Sequence, residues 1–270
     1  MATVPDVTMP IASYHHADFP VGELRTLKKE VQISVCIPAR NEEATIGAIV
    51  ETVRRDLVEG AGLVDDLLVV DDRSHDATAV VAFAAGARVV SVPTSEPSTE
   101  PGVGKGEAMR RGLAASNGDI VVFLDGDVEN FGMHFVTGLL GPILAFPHIV
   151  LVKACYRRPF GECPTGGGRV TELVARPLVL LLFPELSGVV QPLAGEVAVR
   201  RRALEQIELA DGYGVELGML IDLSRRYGAG SIAQVDLDVR AHRNRPLHEL
   251  APQARDVLDV ALRRAGLRVA

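Results

Sequence analysis

The chain has 270 residues, room for one large α/β domain or two fused halves, and its core must be aliphatic because there is no Trp and aromatics make up only 4%. Its 28 Lys and Arg against 35 Asp and Glu leave a net charge of −7, which argues against a general nucleic-acid binder and makes any cationic pocket a local device. Cys36, Cys155 and Cys163 form no C-x-x-C pair, which fits a reducing cytoplasmic setting.

Residues 1–20 carry no basic segment followed by an apolar stretch, so no signal peptide is expected. The first strand is expected over residues 33–37, rich in β-branched side chains, followed by an amphipathic helix through about residue 57 with Asn41 as its N-cap. Residues 67–70 form the next strand, after which Ser74 or Asp76 caps a helix that ends at Gly86. A strand at 89–92, a Ser/Thr/Pro/Gly-rich mobile loop at 94–106, a helix at 106–115, a strand at 120–124 and a helix at 132–146 complete the first half. Short buried strands alternating with helices predict an α/β fold with a mostly parallel, Rossmann-like sheet covered on both faces. Beyond residue 146 the rhythm is irregular, and 159–168 reads as a junction, so residues 1–150 and 151–270 are expected to be two halves of different task. The longest apolar run, 178–183, lies between Pro177 and Pro184 and is too short to span a bilayer.

In an open parallel sheet ligands bind beyond the carboxyl ends of the strands, and three polar clusters fall there. Pro38-Ala39-Arg40-Asn41-Glu42 follows the first strand, Asp71-Asp72 the second, and Asp125-Gly126-Asp127 the apolar run at 120–124. Two carboxylates at a strand exit suit Mg²⁺ or Mn²⁺, hard ions that need few protein ligands when substrate phosphates complete their shell. A nucleotide-sugar site is therefore expected in the first half. Gly102-Val103-Gly104-Lys105-Gly106 lacks the Ser or Thr of a Walker A, leaving Lys105 as a point charge for a nucleotide phosphate.

In the second half, Gly166-Gly167-Gly168-Arg169-Val170-Thr171 precedes a helical pattern. The glycines allow close approach, the helix start offers free N–H groups, and Arg169 and Thr171 add a cationic fork and a hydroxyl for an anionic acceptor. Arg157-Arg158 upstream strengthens that reading. Arg240-Ala241-His242-Arg243-Asn244-Arg245 follows an apolar segment at 232–239, with His242 a competent metal ligand, and Glu216 sits where a helix begins after Asp211-Gly212-Tyr213-Gly214.

Together these stretches, with Gln191-Pro192-Leu193-Ala194-Gly195-Glu196, make the chain resemble the GT-A glycosyltransferases, and within them the actinobacterial glucosyl-3-phosphoglycerate synthases, from about residue 33 to 250. Arg40 stands where that family commonly has Leu, and Gly126 where it has Ser. The resemblance implies metal-dependent transfer of glucose from UDP-glucose to the 2-hydroxyl of 3-phosphoglycerate with retained anomeric configuration. It implies that Pro38, Ala39, Arg40, Glu42, Asp71 and Asp72 hold uracil and ribose, with Lys105, Asp125 and Gly126 also on the donor. Asp127 and His242 would bind Mg²⁺ or Mn²⁺; Gly168, Arg169, Val170, Thr171 and Asn244 would take phosphoglycerate. Tyr213, Glu216 and Arg240 would surround the transferred sugar, and a homodimer with no membrane span is the family expectation. The same reaction with GDP-mannose is the near alternative. A sugar-nucleotide pyrophosphorylase would need a Gly-rich basic signature after the first strand, which residues 38–43 are not; a non-catalytic nucleotide-sugar sensor is a third reading.

Overall fold

The computed structural model describes residues 10–92, 104–160, 163–241 and 246–267. Most of the expected loop at 94–106, and the site candidates His242 and Asn244, lie outside the described residues. The first half alternates as its pattern demands: strand β1 (Ala12–His15), helix α1 (Val21–Lys28), β2 (Ile33–Ala39), α2 (Ile46–Thr52), β3 (Asp66–Asp71), α3 (Thr78–Ala84), β4 (Arg88–Ser91), α4 (Lys105–Ala115), β5 (Ile120–Phe123) and α5 (His134–Ala145). Then follow β6 (Leu151–Arg157), the two-stranded ribbon β7 (Pro159–Phe160) and β8 (Cys163–Gly166), α6 (Arg176–Leu182), β9 (Val197–Arg200), α7 (Arg201–Leu204), α8 (Val215–Tyr227), β10 (Ile232–Val239) and α9 (Leu247–Arg264). No helix among the described residues is long and apolar enough to cross a membrane.

Eight strands form one sheet in the order β1-β10-β6-β9-β5-β2-β3-β4. All neighbours run parallel except β9, which is antiparallel to both β5 and β6. The central strands are buried except at Pro38, which is why they read as continuous apolar runs, and two aliphatic clusters pack on the opposite faces. The chain moves outward from β2 to β3 and β4 on one side and returns to β5 on the other, so β2 and β5 flank the topological switch point. Their carboxyl ends open the crevice that such a switch creates. Strands β1, β6, β7, β8 and β9 are not among the expected elements.

Asn41 does not cap α2. It adopts φ +57°, its N–H donates to Ser74 Oγ at 3.0 Å, and its Oδ1 accepts from the His75 N–H at 2.8 Å. An asparagine tolerates the left-handed region, and here bonds to a neighbouring loop prevail over a local cap. The helix starts later, with the Glu42 carbonyl accepting from the N–H groups of Thr45 and Ile46. At the other candidate cap, Ser74 is taken by Asn41, while Asp76 accepts the Thr78 N–H at 3.0 Å, and α3 ends before Gly86 at φ +105° as expected.

Candidate active site

One cavity opens at the switch point. Pro38, Ala39, Arg40, Glu42 and Asp72, after β2 and β3, line it together with Asp125, Gly126 and Asp127 after β5. Gly168, Arg169, Val170 and Thr171 also line it, as do Lys105, Tyr213, Glu216 and Arg240. The structure thus gathers residues spread over more than 200 positions of chain into one place. Asp71, at the end of β3, sits just behind: it is buried, and its Oδ1 has no hydrogen-bond partner among the described residues. Such an orphaned acceptor suits a ligand hydroxyl.

The loop after β2 is held by Glu42 N–H donating to Thr78 Oγ1 at 2.8 Å and by Thr45 Oγ1 donating to the Gly126 carbonyl at 2.6 Å, which ties it to the acidic turn. A Cβ at Gly126 would meet Ala39 and Glu42 at ordinary contact distance, so the backbone there does not demand glycine. Lys105 opens α4, and its ammonium pairs with Asp125 and, at 2.6 Å, with Glu216 in the first turn of α8. Burial opposes that ammonium, yet the charges of Asp125 and Glu216 outweigh it and hold Lys105 well above the usual lysine range. Gly106 lets the helix start press against the Ala210 carbonyl, where any Cβ would collide.

Arg240 is the hub of the charge network. Its Nη2 donates to Asp125 Oδ2 at 2.9 Å and to Asp127 Oδ1 at 2.7 Å, while its Nε donates to the fully buried Glu196 at 2.7 Å. Glu196 also accepts from the Tyr156 hydroxyl at 2.6 Å, and that hydroxyl accepts from Arg158 Nη2 at 2.7 Å. Burial would raise Asp125, but Lys105 and then Arg240 overcome it and hold its carboxyl far below the carboxylate range. Burial pushes the Tyr156 hydroxyl up, so it stays a neutral donor.

The two aspartates suit a hard divalent ion: their oxygens converge closely enough for one guanidinium tip to touch both. The strand end leading to His242 is fastened beside them, with Ala241 N–H donating to Asn130 Oδ1 at 2.8 Å, Glu129 N–H donating to the Ala241 carbonyl at 3.0 Å and Asn130 Nδ2 donating to the Val239 carbonyl at 2.8 Å.

In the glycine-rich segment, Gly166 and Gly168 take φ +111° and +74°, turning the chain into a helical segment that widens over Thr171–Ala175 before α6. Thr171 is buried, and Arg158 lies against Gly168. Helix α9 closes the cavity with Leu250, Gln253 and Val257, and its Asp256 accepts the Tyr213 N–H at 3.0 Å. The contacts of Glu196 and Tyr156, and the burial of Lys153, are not predicted by the sequence pattern. Lys153, a charge within the apolar strand β6, was the legible clue.

The model of glycosyl transferase family 2 matches residues 34–204. A glucosyl-3-phosphoglycerate synthase of Mycobacterium tuberculosis is 50% identical over 262 residues, covering 94% of this chain and 80% of that protein. The chain belongs to glycosyl transferase family 2, among the glucosyl-3-phosphoglycerate synthases. The crystal structure of the M. tuberculosis synthase in complex with Mn²⁺, UDP-glucose and phosphoglyceric acid matches with a TM-score of 0.88 at 48% identity, covering 97% of this chain and 90% of that one. Its complex with Mg²⁺ and UDP gives a TM-score of 0.87 at 47% identity over 96% of this chain and 88% of that one. The GT-A reading of the sheet therefore holds for this chain.

Proposed function

We propose that this enzyme transfers glucose from UDP-glucose to the 2-hydroxyl of 3-phosphoglycerate with retained configuration, releasing UDP. The observation that carries the reading is a single cavity lined together by an acidic turn, an arginine-bearing glycine nest and buried ionic side chains. Residues 1–150 supply most of the donor site and residues 151–270 most of the acceptor site. Pro38, Ala39, Arg40 and Glu42 border the uracil; Asp71, with its orphaned oxygen, and Asp72 receive the ribose. Lys105 holds a nucleotide phosphate, and Asp125, paired with Lys105, helps place the donor. Asp127, with His242 as the second ligand, would hold Mg²⁺ or Mn²⁺, which when bound neutralises charge on the leaving diphosphate.

Arg169, Thr171 and the backbone of Gly168 and Val170 receive the acceptor's anionic end, with Asn244 assigned there from the family pattern. Tyr213, Glu216 and Arg240 enclose the sugar. The Glu216 carboxylate is bound to Lys105 at 2.6 Å, which lowers its worth as a nucleophile and favours front-face transfer. In that scheme the bond from the sugar C1 to the β-phosphate oxygen breaks as the acceptor O2 bonds to C1 on the same face. The proton of the 2-hydroxyl passes to the departing phosphate oxygen. Cys36 and Cys155 are free thiols, which supports a cytosolic enzyme, and a homodimer is the family's pattern.

A donor and acceptor panel tests the reading. With Mg²⁺ present, UDP-glucose and 3-phosphoglycerate should turn over, and neutral glycerol should be a poor acceptor because it brings no anionic group to the nest. Faster turnover with GDP-mannose than with UDP-glucose would overturn the donor assignment.

A further inference from the structure

Lys153 takes no part in the scheme above, yet it lies wholly buried in the middle of β6, between Gln234 of β10 and Val197 of β9. Lysines are almost never fully buried without a partner, because burial penalises the charge. The hydrogen bond it makes is specific: Nζ donates to the Ala194 carbonyl at 2.9 Å. That carbonyl belongs to a segment strapped to β6 at two further points, by Gln191 Nε2 donating to the Tyr156 carbonyl at 2.5 Å and by Ala154 N–H donating to the Glu196 carbonyl at 3.0 Å.

The strapped segment forms part of the cavity. Leu193 lines it, and Gly195 lies so close to the Asp125 carboxylate and Lys105 Nζ that a Cβ would collide with both. Glu196, next in line, carries the Arg240 ion pair. Any rise of this segment would therefore press on the residues assigned to the donor, and any fall would loosen them. Charges face Lys153 from each packed element: Glu216 on α8, Lys105 on α4, Glu196 on the strap and Asp125 after β5.

We infer that Lys153 is a positioning residue for the transfer: its bond to the Ala194 carbonyl sets the height of residues 193–195 beneath the transferred sugar. The inference rests on the transferase reading. Small misplacements of reacting groups cost rate more than binding. Lys153→Met keeps length and volume while removing the donor; Lys153→Gln keeps an N–H donor on a shorter chain.

Steady-state kinetics of the wild type and both variants, with UDP-glucose, 3-phosphoglycerate and Mg²⁺, test the inference. Lys153→Met should lower kcat by about ten- to a hundred-fold with both KM values changed by less than about threefold, and Lys153→Gln should recover part of the loss. A wild-type kcat in Lys153→Met, or a loss confined to KM, overturns the inference. Should Lys153→Met fail to fold, Lys153→Gln decides: a lowered kcat with unchanged KM supports positioning, and a wild-type kcat refutes it. A wild type that turns over beside an unimpaired variant refutes the inference alone, whereas a wild type without turnover refutes the transferase reading and takes the inference with it.

Discussion

The burial of Lys153 also makes a prediction about stability, whose sign and size follow from the fold. Burial is the largest influence on this ammonium and pushes it down from 10.5 to about 8, partly offset by Glu216. Between those values the unfolded chain binds a proton that the folded chain does not, so stability rises with pH across the window. Below about pH 8 both states are protonated, and the folded state bears the full penalty. At about 1.4 kcal/mol for each pH unit between those two values, the ceiling of that penalty is about 3 kcal/mol. In Lys153→Met that penalty is gone, but the Ala194 carbonyl loses its donor, at a cost of about 1–3 kcal/mol. The variant should therefore be less stable than wild type near pH 10.5 and close to it, or more stable, at pH 7. Urea unfolding of both proteins from pH 7 to 10.5 measures this difference. A difference that stays constant across the window would refute the argument that burial depresses the Lys153 ammonium.

Chelation should abolish transfer, Mg²⁺ or Mn²⁺ should restore it, and Asp127→Ala should not respond to added metal; full activity of Asp127→Ala in metal-free buffer would sink the assignment. Glu216→Gln keeps shape while removing the charge that pairs with Lys105, so kcat should fall with no glycosyl-enzyme adduct, and an adduct on Glu216 seen by mass spectrometry would establish double displacement instead. Arg169→Ala should weaken 3-phosphoglycerate by roughly ten- to a hundred-fold, the equivalent of about 1.5–3 kcal/mol for a charge-assisted contact. Calorimetry with UDP-glucose should show little change in that variant; the reverse pattern would move the acceptor elsewhere.

The crevice was legible because its strands are buried on both faces and so read as apolar runs whose ends are marked by polar residues. Pro38 to Glu42, Asp71-Asp72 and the Asp125-Gly126-Asp127 triplet need only the parallel-sheet rule to be brought together. Other parts depend on contacts far along the chain. Strand β1 has little apolar pattern of its own and is ordered by pairing with β10, more than 200 residues later. The four residues of β9 become a strand by inserting between β5 and β6, which local sequence does not announce. Asn41 has the chemistry of a cap but is recruited by Ser74 and His75 on the neighbouring loop. Glu196 lies in a stretch that carries the family resemblance, but its role is set by burial beside Arg240 and Tyr156, which sequence does not show.

The most direct test of glucosyl transfer is to incubate the purified protein with UDP-glucose, Mg²⁺ and 3-phosphoglycerate, following UDP release and the mass of the product together. UDP should appear only when 3-phosphoglycerate is present, in step with one hexosyl-phosphoglycerate formed per UDP. UDP release at the same rate without 3-phosphoglycerate, or none with it, would contradict the account.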